Sequence, residues 1–186
     1  MGRKDDMYHE FMQEALKEAR CALEEREVPV GCVIVSPEST TGGSWKILTR
    51  GHNRTVISKN PTQHAEIVAI NKLFEKQPID TAKKQLQESI LFVSVEPCIM
   101  CTKALIKVGV KQAVFGAYND KFGGCGSVLD LTGGENRQQL EVVGGLCKED
   151  AISLLRQFYD RPNEAAPNPR KKQREAVWRF KWECVL

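Results

Sequence analysis

The sequence lacks any apolar run approaching the ~20 residues needed to cross a bilayer, so no membrane-spanning helix is expected. Its opening stretch, MGRKDDMYHEFM, has no apolar h-region, so no secretory signal is expected there. Gly2 after Met1 suits N-myristoylation, but that motif needs Ser or Thr four residues on, where Asp6 stands. No internal repeat is visible. The seven cysteines (21, 32, 98, 101, 125, 147 and 184) include a single C-x-x-C, Cys98 and Cys101, and no second pair. An odd count without a secretion signal reads as reduced thiols, and a four-cysteine structural zinc site has too few pairs to form. Net charge is absent from the body: residues 1–159 carry 20 basic and 20 acidic side chains. Residues 160–186, with seven basic and four acidic, supply the whole +3. A neutral body with a basic tail suggests an anionic partner touched by the tail, against the plainer reading of a solvated terminus.

What is present has the periodicity of an α/β domain. Residues 7–26 place Phe11, Ala15, Ala19 and Ala22 at helical spacing between charges, with Pro29 as the expected stop. VGCVIVS (30–36) and WKILTRG (45–51) predict a hairpin across the turn-rich PESTTGGS (37–44). HNRTVISKNPT (52–62) reads as loop. From Gln63 to Lys76 a helix is expected, with Ala65, Ala69, Ile70 and Leu73 on one side; Gln77 to Glu88 reads as a short helix or surface insertion. SILFVSVE (89–96) is nearly continuous in apolar residues, the pattern of a strand covered on both faces. A helix (98–109) entered through Pro97, a strand (111–118), a glycine-rich loop (119–127), an edge strand (139–143) and a helix (148–160) complete the order. Helices alternating with strands after an opening hairpin predict a three-layer α/β/α fold around a mixed, about five-stranded sheet. The chain divides into a domain over 1–160 and, from the proline-rich RPNEAAPNP onward, a linker and basic tail over 161–186.

Two short motifs carry chemistry: His64-Ala65-Glu66 and Pro97-Cys98-Ile99-Met100-Cys101, each where a helix begins. Catalytic zinc takes three nitrogen or sulfur ligands and leaves a fourth position for water. His64, Cys98 and Cys101 supply three, and the i, i+3 spacing lets both cysteines face one metal. Helix N-termini favour thiolate over thiol, and Pro97 fits a helix start because its missing N–H costs nothing there. Zinc at such a place makes water nucleophilic near neutral pH. Glu66 lies at i, i+2 from His64, off a shared helix face, which suits a proton shuttle better than a fourth ligand. Alone, the C-x-x-C could be a redox pair, and His-Ala-Glu a satisfied histidine beside a surface glutamate. A redox pair has no need of His-x-Glu, so the two motifs together favour a zinc site, one Zn2+ per chain.

The pattern H-x-E…P-C-x-x-C resembles the cytidine/deoxycytidylate deaminase superfamily. The resemblance is closer to the TadA-like tRNA adenosine deaminases, on VPVGCVIV (28–35), GHNR (51–54), HAEIVAI (64–70), SVEPCIMCTKALI (94–106) and FGAYNDKFGGCGSVLDL (115–131), and covers roughly residues 8–160. The FGGCGS loop and the basic extension are more similar to the eukaryotic catalytic subunits than to the bacterial homodimers. This resemblance implies a cytidine-deaminase-like fold and hydrolytic conversion of adenosine to inosine at the first anticodon position of tRNA. It also implies a heterodimer with a homologous subunit that lacks the glutamate and is catalytically inactive. By matching positions, His64, Cys98 and Cys101 are the zinc ligands and Glu66 the proton shuttle. The resemblance also implies that Asn53 hydrogen-bonds the target nucleoside, that Val30 lines the base pocket and that the Ala65 backbone N–H contacts the base.

In the tail, Arg170, Lys171, Lys172, Arg174, Arg179 and Lys181 interleave with Trp178, Phe180 and Trp182, a mixture that attracts phosphates and offers stacking faces to bases. The same residues could instead form an amphipathic helix packing Val177, Trp178 and Phe180 on the body or a partner. The similar eukaryotic subunits use a basic C-terminal segment for tRNA, which favours RNA. A cytoplasmic or nuclear location is expected, with no membrane. Two rival functions remain: deamination of free cytidine, deoxycytidylate or guanine, and a non-catalytic zinc-bearing RNA-binding subunit. The first gives no reason for the tail, and the second none for Glu66.

Overall fold

The computed structural model describes residues 2–38, 43–133 and 140–161. The elements run α1 (Arg3–Glu24), β1 (Gly31–Pro37), β2 (Trp45–His52), α2 (Ala65–Lys76), α3 (Ile79–Leu86), β3 (Ile90–Val95), α4 (Ile99–Val108), β4 (Gln112–Ala117), β5 (Glu141–Gly144) and α5 (Lys148–Asp160). The sheet order is β2-β1-β3-β4-β5. β1 pairs antiparallel with both β2 and β3, while β3–β4 and β4–β5 are parallel. The expected mixed five-stranded sheet is therefore present, and the segment 77–88 resolves as the short helix α3.

Alternation along the strands builds the layers, because successive side chains point to opposite faces. Val33, Val35, Ile90, Phe92 and Val114 face α1 and α5. Cys32, Ile34, Leu91, Val93, Ala113 and Phe115 face α2, α3 and α4. β3 is buried at every residue, as its unbroken apolar run predicts. On the first face Phe92 meets Tyr8 edge-on, with ring centroids 5.3 Å apart, and Phe11 at 5.6 Å. The Tyr8 hydroxyl is satisfied at 2.6 Å by Gln112 Oε1, so the aromatic body is buried without stranding its polar end. β5 is the exposed edge.

One expected boundary is wrong. Pro29 does not end α1, which stops at Glu24. Arg26 takes a left-handed φ of 62°. The Glu27 N–H then reaches Ala22 O (2.8 Å) and the Arg26 N–H reaches Leu23 O (3.3 Å), the pair of bonds that closes a Schellman turn. Backbone geometry thus ends the helix before proline chemistry has a chance to. Among the described residues, no helix is long and apolar enough to cross a membrane.

Candidate active site

Two helix N-termini meet at the candidate metal ligands. His64 caps α2 and Cys98 caps α4, both in extended backbone, with Cys101 in the first turn of α4. β2 sets α2 in place: a Cβ on Gly51 would lie 2.3 Å from Ala65 O, and Thr49 Oγ1 donates to Ala69 O at 3.0 Å. Only glycine allows helix and strand to come this close. On α4, the Thr102 N–H bonds Cys98 O (2.8 Å) and the Thr102 hydroxyl bonds Pro97 O (3.2 Å), locking the turn that carries both thiols.

His64 Nδ1 stands 3.5 Å from Cys98 Sγ and 3.6 Å from Cys101 Sγ. All three candidate ligand atoms lie within 4.8 Å of one another. Tetrahedral zinc, with Zn–S of ~2.3 Å and Zn–N of ~2.0–2.1 Å, separates its nitrogen and sulfur ligands by about 3.5–3.6 Å. The donor set and its spacing therefore fit the ion. The two thiols push each other's titration in opposite directions. Cys98 is held down to about 4, first by the hydrogen bond from Cys101 and then, against burial, by His64. The same bond, then burial and the neighbouring Glu66, pushes the Cys101 thiol up. A divalent cation at this point is what would make both thiolates.

Glu66 is buried, with 3% of its surface exposed, near the Cys101 thiol. Burial raises its carboxyl above the ordinary range, which suits a group that must hold and release a proton. Helix-face spacing does not set Glu66 apart from His64. His64 sits at the cap, outside the helix, so an i, i+2 rule for helix faces does not govern the pair. What sets Glu66 apart is the packing: the cluster with metal-ligand spacing contains His64, Cys98 and Cys101 without Glu66.

Asn53 is also buried, and its Oδ1 accepts the Ala65 N–H at 2.9 Å. The N–H expected to touch a base is thus already engaged, and Asn53 doubles as a cap on α2 from the end of β2. Val30 is half-buried just before β1, and its carbonyl accepts the Asn53 N–H at 3.0 Å. The tail residues Arg170, Lys171, Lys172, Arg174, Arg179 and Lys181 lie outside the described residues.

Three further buried or half-buried side chains shape the surroundings of the site. Glu27 is fully buried and accepts the Val56 and Ile57 N–H groups at 2.8 and 2.9 Å and the Thr55 hydroxyl at 3.0 Å. Glu96 is likewise buried and gathers the loop over 119–127. His52 sets its ring nitrogens against Glu18 of α1 (2.9 Å) and Glu25 just past its end (3.4 Å). The signal for Glu96 was a carboxylate closing an otherwise apolar run directly before Pro97-Cys98. Nothing comparable marked Glu27 or His52.

The family model described as the cytidine and deoxycytidylate deaminase zinc-binding region matches residues 5–117. The chain is 39% identical over 178 residues to the tRNA-specific adenosine deaminase subunit tad2 of Schizosaccharomyces pombe, covering 95% of this chain but only 43% of that longer protein. It is 36% identical over 170 residues to tRNA-specific adenosine deaminase 2 of Xenopus laevis, covering 89% of this chain and 93% of the relative. A solved tRNA:A34 deaminase, from studies of A-to-I editing at the wobble position of transfer RNA, superposes with a TM-score of 0.66 at 30% identity, over 78% of this chain and 99% of the other. With its ligand triad at zinc spacing and this extent of likeness, the chain belongs to the cytidine and deoxycytidylate deaminase zinc-binding family, in the group of the tRNA-specific adenosine deaminases.

Proposed function

We propose that this protein deaminates adenosine to inosine at the wobble position of tRNA, by zinc-dependent hydrolysis. The observation that carries the reading is the buried Glu66 carboxyl beside three metal-ligand atoms at zinc spacing, in a chain that matches tRNA adenosine deaminases over nearly its whole length. His64 Nδ1, Cys98 Sγ and Cys101 Sγ would hold the zinc, which would supply the Lewis acidity that makes water nucleophilic near neutral pH. Glu66 takes the proton from the water that adds to C6 of adenine. It delivers that proton to the ring nitrogen and then assists protonation of the leaving amine, so adenosine and water become inosine and ammonia. Asn53, held against the start of α2, orients the base through the amide edge that Ala65 leaves free, and Val30 walls the pocket. An adenosine in an unpaired anticodon loop reaches such a site with little unpairing.

The domain spans residues 1–160, with 161–186 as linker and RNA-binding tail. The partner in this reading is a homologous, catalytically inactive subunit. Ile99 and Met100 at the start of α4, with Val128 and Leu129 beyond the glycine-rich loop, support it: they are exposed apolar side chains next to the metal turn. The place of action is the cytoplasm or nucleus, where tRNA is found. The test is inosine mapping in tRNA incubated with the wild-type protein and Glu66→Ala, with and without the co-expressed partner. Wild-type inosine at the first anticodon position, lost in the variant while zinc stays bound, is the expected result. Turnover of free nucleosides instead, or inosine formed equally by Glu66→Ala, would refute the reading.

A further inference from the structure

Two loops flank the metal-bearing turns, and each is fastened from beneath by one buried carboxylate. The first leads from β2 to His64. Its Thr55 hydroxyl and Val56 and Ile57 N–H groups all end on Glu27, which is 0% exposed. The second follows β4. Glu96 Oε2 accepts the Asn119 N–H at 2.9 Å and the Ser127 hydroxyl, while Oε1 accepts the Cys125 and Ser127 N–H groups at 3.0 and 3.1 Å. This loop is zipped to the thiol-bearing turn, with the Ile99 N–H on Phe122 O and the Gly124 N–H on Pro97 O, each at 2.9 Å. The fastening is close: a Cβ on Gly123 would lie 2.6 Å from Glu96 Oε1. Each carboxylate is satisfied by loop donors. A buried charge held mainly by loop amides is a costly way to close a loop unless the loop must hold one shape. What the loops display is apolar and outward: Val56 is 68%, Ile57 48% and Phe122 64% exposed.

We infer that Glu27 and Glu96 are positioning residues, which hold two rigid lips on either side of the metal site so that Val56, Ile57 and Phe122 receive the bases flanking the target nucleotide. Unstacked bases gain from an aromatic face such as that of Phe122 and from apolar contact with Val56 and Ile57, and a lip already in place spares the ordering cost on binding. The carboxylates touch no reacting atom. The thiol turn has its own tethers through Thr102, so a lip can loosen while the metal ligands stay. The inference rests on RNA being the substrate, but the fastening itself does not.

Two measurements separate these levels, on the full-length zinc-loaded chain co-expressed with the homologous subunit proposed above. In amide hydrogen exchange, Glu96→Gln is expected to lose protection at Asn119, Cys125 and Ser127 while Val56 and Ile57 keep theirs, and Glu27→Gln the reverse. Unchanged protection would overturn the fastening whatever the substrate. With an anticodon stem–loop RNA, each variant is expected to raise KM about tenfold or more with kcat within about twofold and zinc content unchanged, and the double variant to multiply the two effects. A loss of kcat together with zinc, or an unchanged KM, would overturn the positioning role. Should either Gln variant fail to fold, Thr55→Val and Ser127→Ala each remove one hydroxyl bond at the surface end and are expected to raise KM in the same direction by a smaller factor. An unchanged KM in both would refute the role. Absence of any deamination by the wild type would count against the proposed function and leave the exchange result standing.

Discussion

Asn53 carries two separable tasks, and substitution can part them. In Asn53→Ala the Ala65 N–H, buried at the first position of α2, loses its acceptor at 2.9 Å. Leaving a buried donor unsatisfied costs about 1–3 kcal/mol. For a chain of this size, where 1 kcal/mol moves the unfolding midpoint by about 2–4 °C, the expected drop is roughly 2–12 °C. Asn53→Asp keeps an oxygen in the same place and adds negative charge at a helix N-terminus, which is favourable. Its midpoint should therefore stay at or near the wild-type value. The aspartate cannot donate from the position of the amide nitrogen, however, so kcat/KM on tRNA should fall about tenfold or more. Calorimetry of the zinc-loaded proteins and inosine formation on tRNA are the two assays. A wild-type midpoint in Asn53→Ala would refute the capping argument. Full activity in Asn53→Asp would refute the contact of the amide with the nucleoside.

Cys98→Ala leaves two ligands, too few for a catalytic zinc site, so elemental analysis should find the metal largely lost; full occupancy would reject the ligand set. His52 is held protonated above the usual histidine range, first by its hydrogen bond to Glu18 and then, against burial, by Glu25. A raised histidine contributes stability that is present below its unfolded pKa of ~6.5 and lost as pH rises through the higher folded value. The unfolding midpoint should therefore decline on the alkaline side, and His52→Gln should flatten that decline; parallel profiles would exclude the His52–Glu18 pair as its source. Truncation after Asp160 removes seven basic residues, Arg161 and the six of the tail, and should weaken tRNA binding with a shallower salt dependence, measured by titration at several ionic strengths. Equal affinity across salt would argue for the tail packing on protein.

Much of this molecule is legible without coordinates. The alternation in VGCVIVS and the unbroken apolar run before Glu96 predict strands that the sheet contains, and the Phe11-Ala15-Ala19 stripe marks the face α1 buries. The failures share a cause. The end of α1 depends on a left-handed Arg26, a backbone state that side-chain pattern does not encode when the residue is not glycine. Helix-face spacing fails for Glu66 because His64 is the cap of α2 and not one of its helical residues, a boundary that pattern does not place to the residue.

By itself the sequence determined the chemistry: which residues can hold zinc, which carboxyl stands near them, and the order of elements that carries both. Those are properties of residue type and short spacing, which local physics controls. Only the tertiary structure decided that His64 Nδ1 would stand 3.5–3.6 Å from two sulfurs more than thirty positions away, that Asn53 would cap α2, and that Glu27 and Glu96 would each fasten a loop. A carboxylate's role depends on which donors surround it, and those donors lie 23 to 31 positions from Glu96 and 28 to 30 from Glu27, brought together only when the sheet and its helices pack.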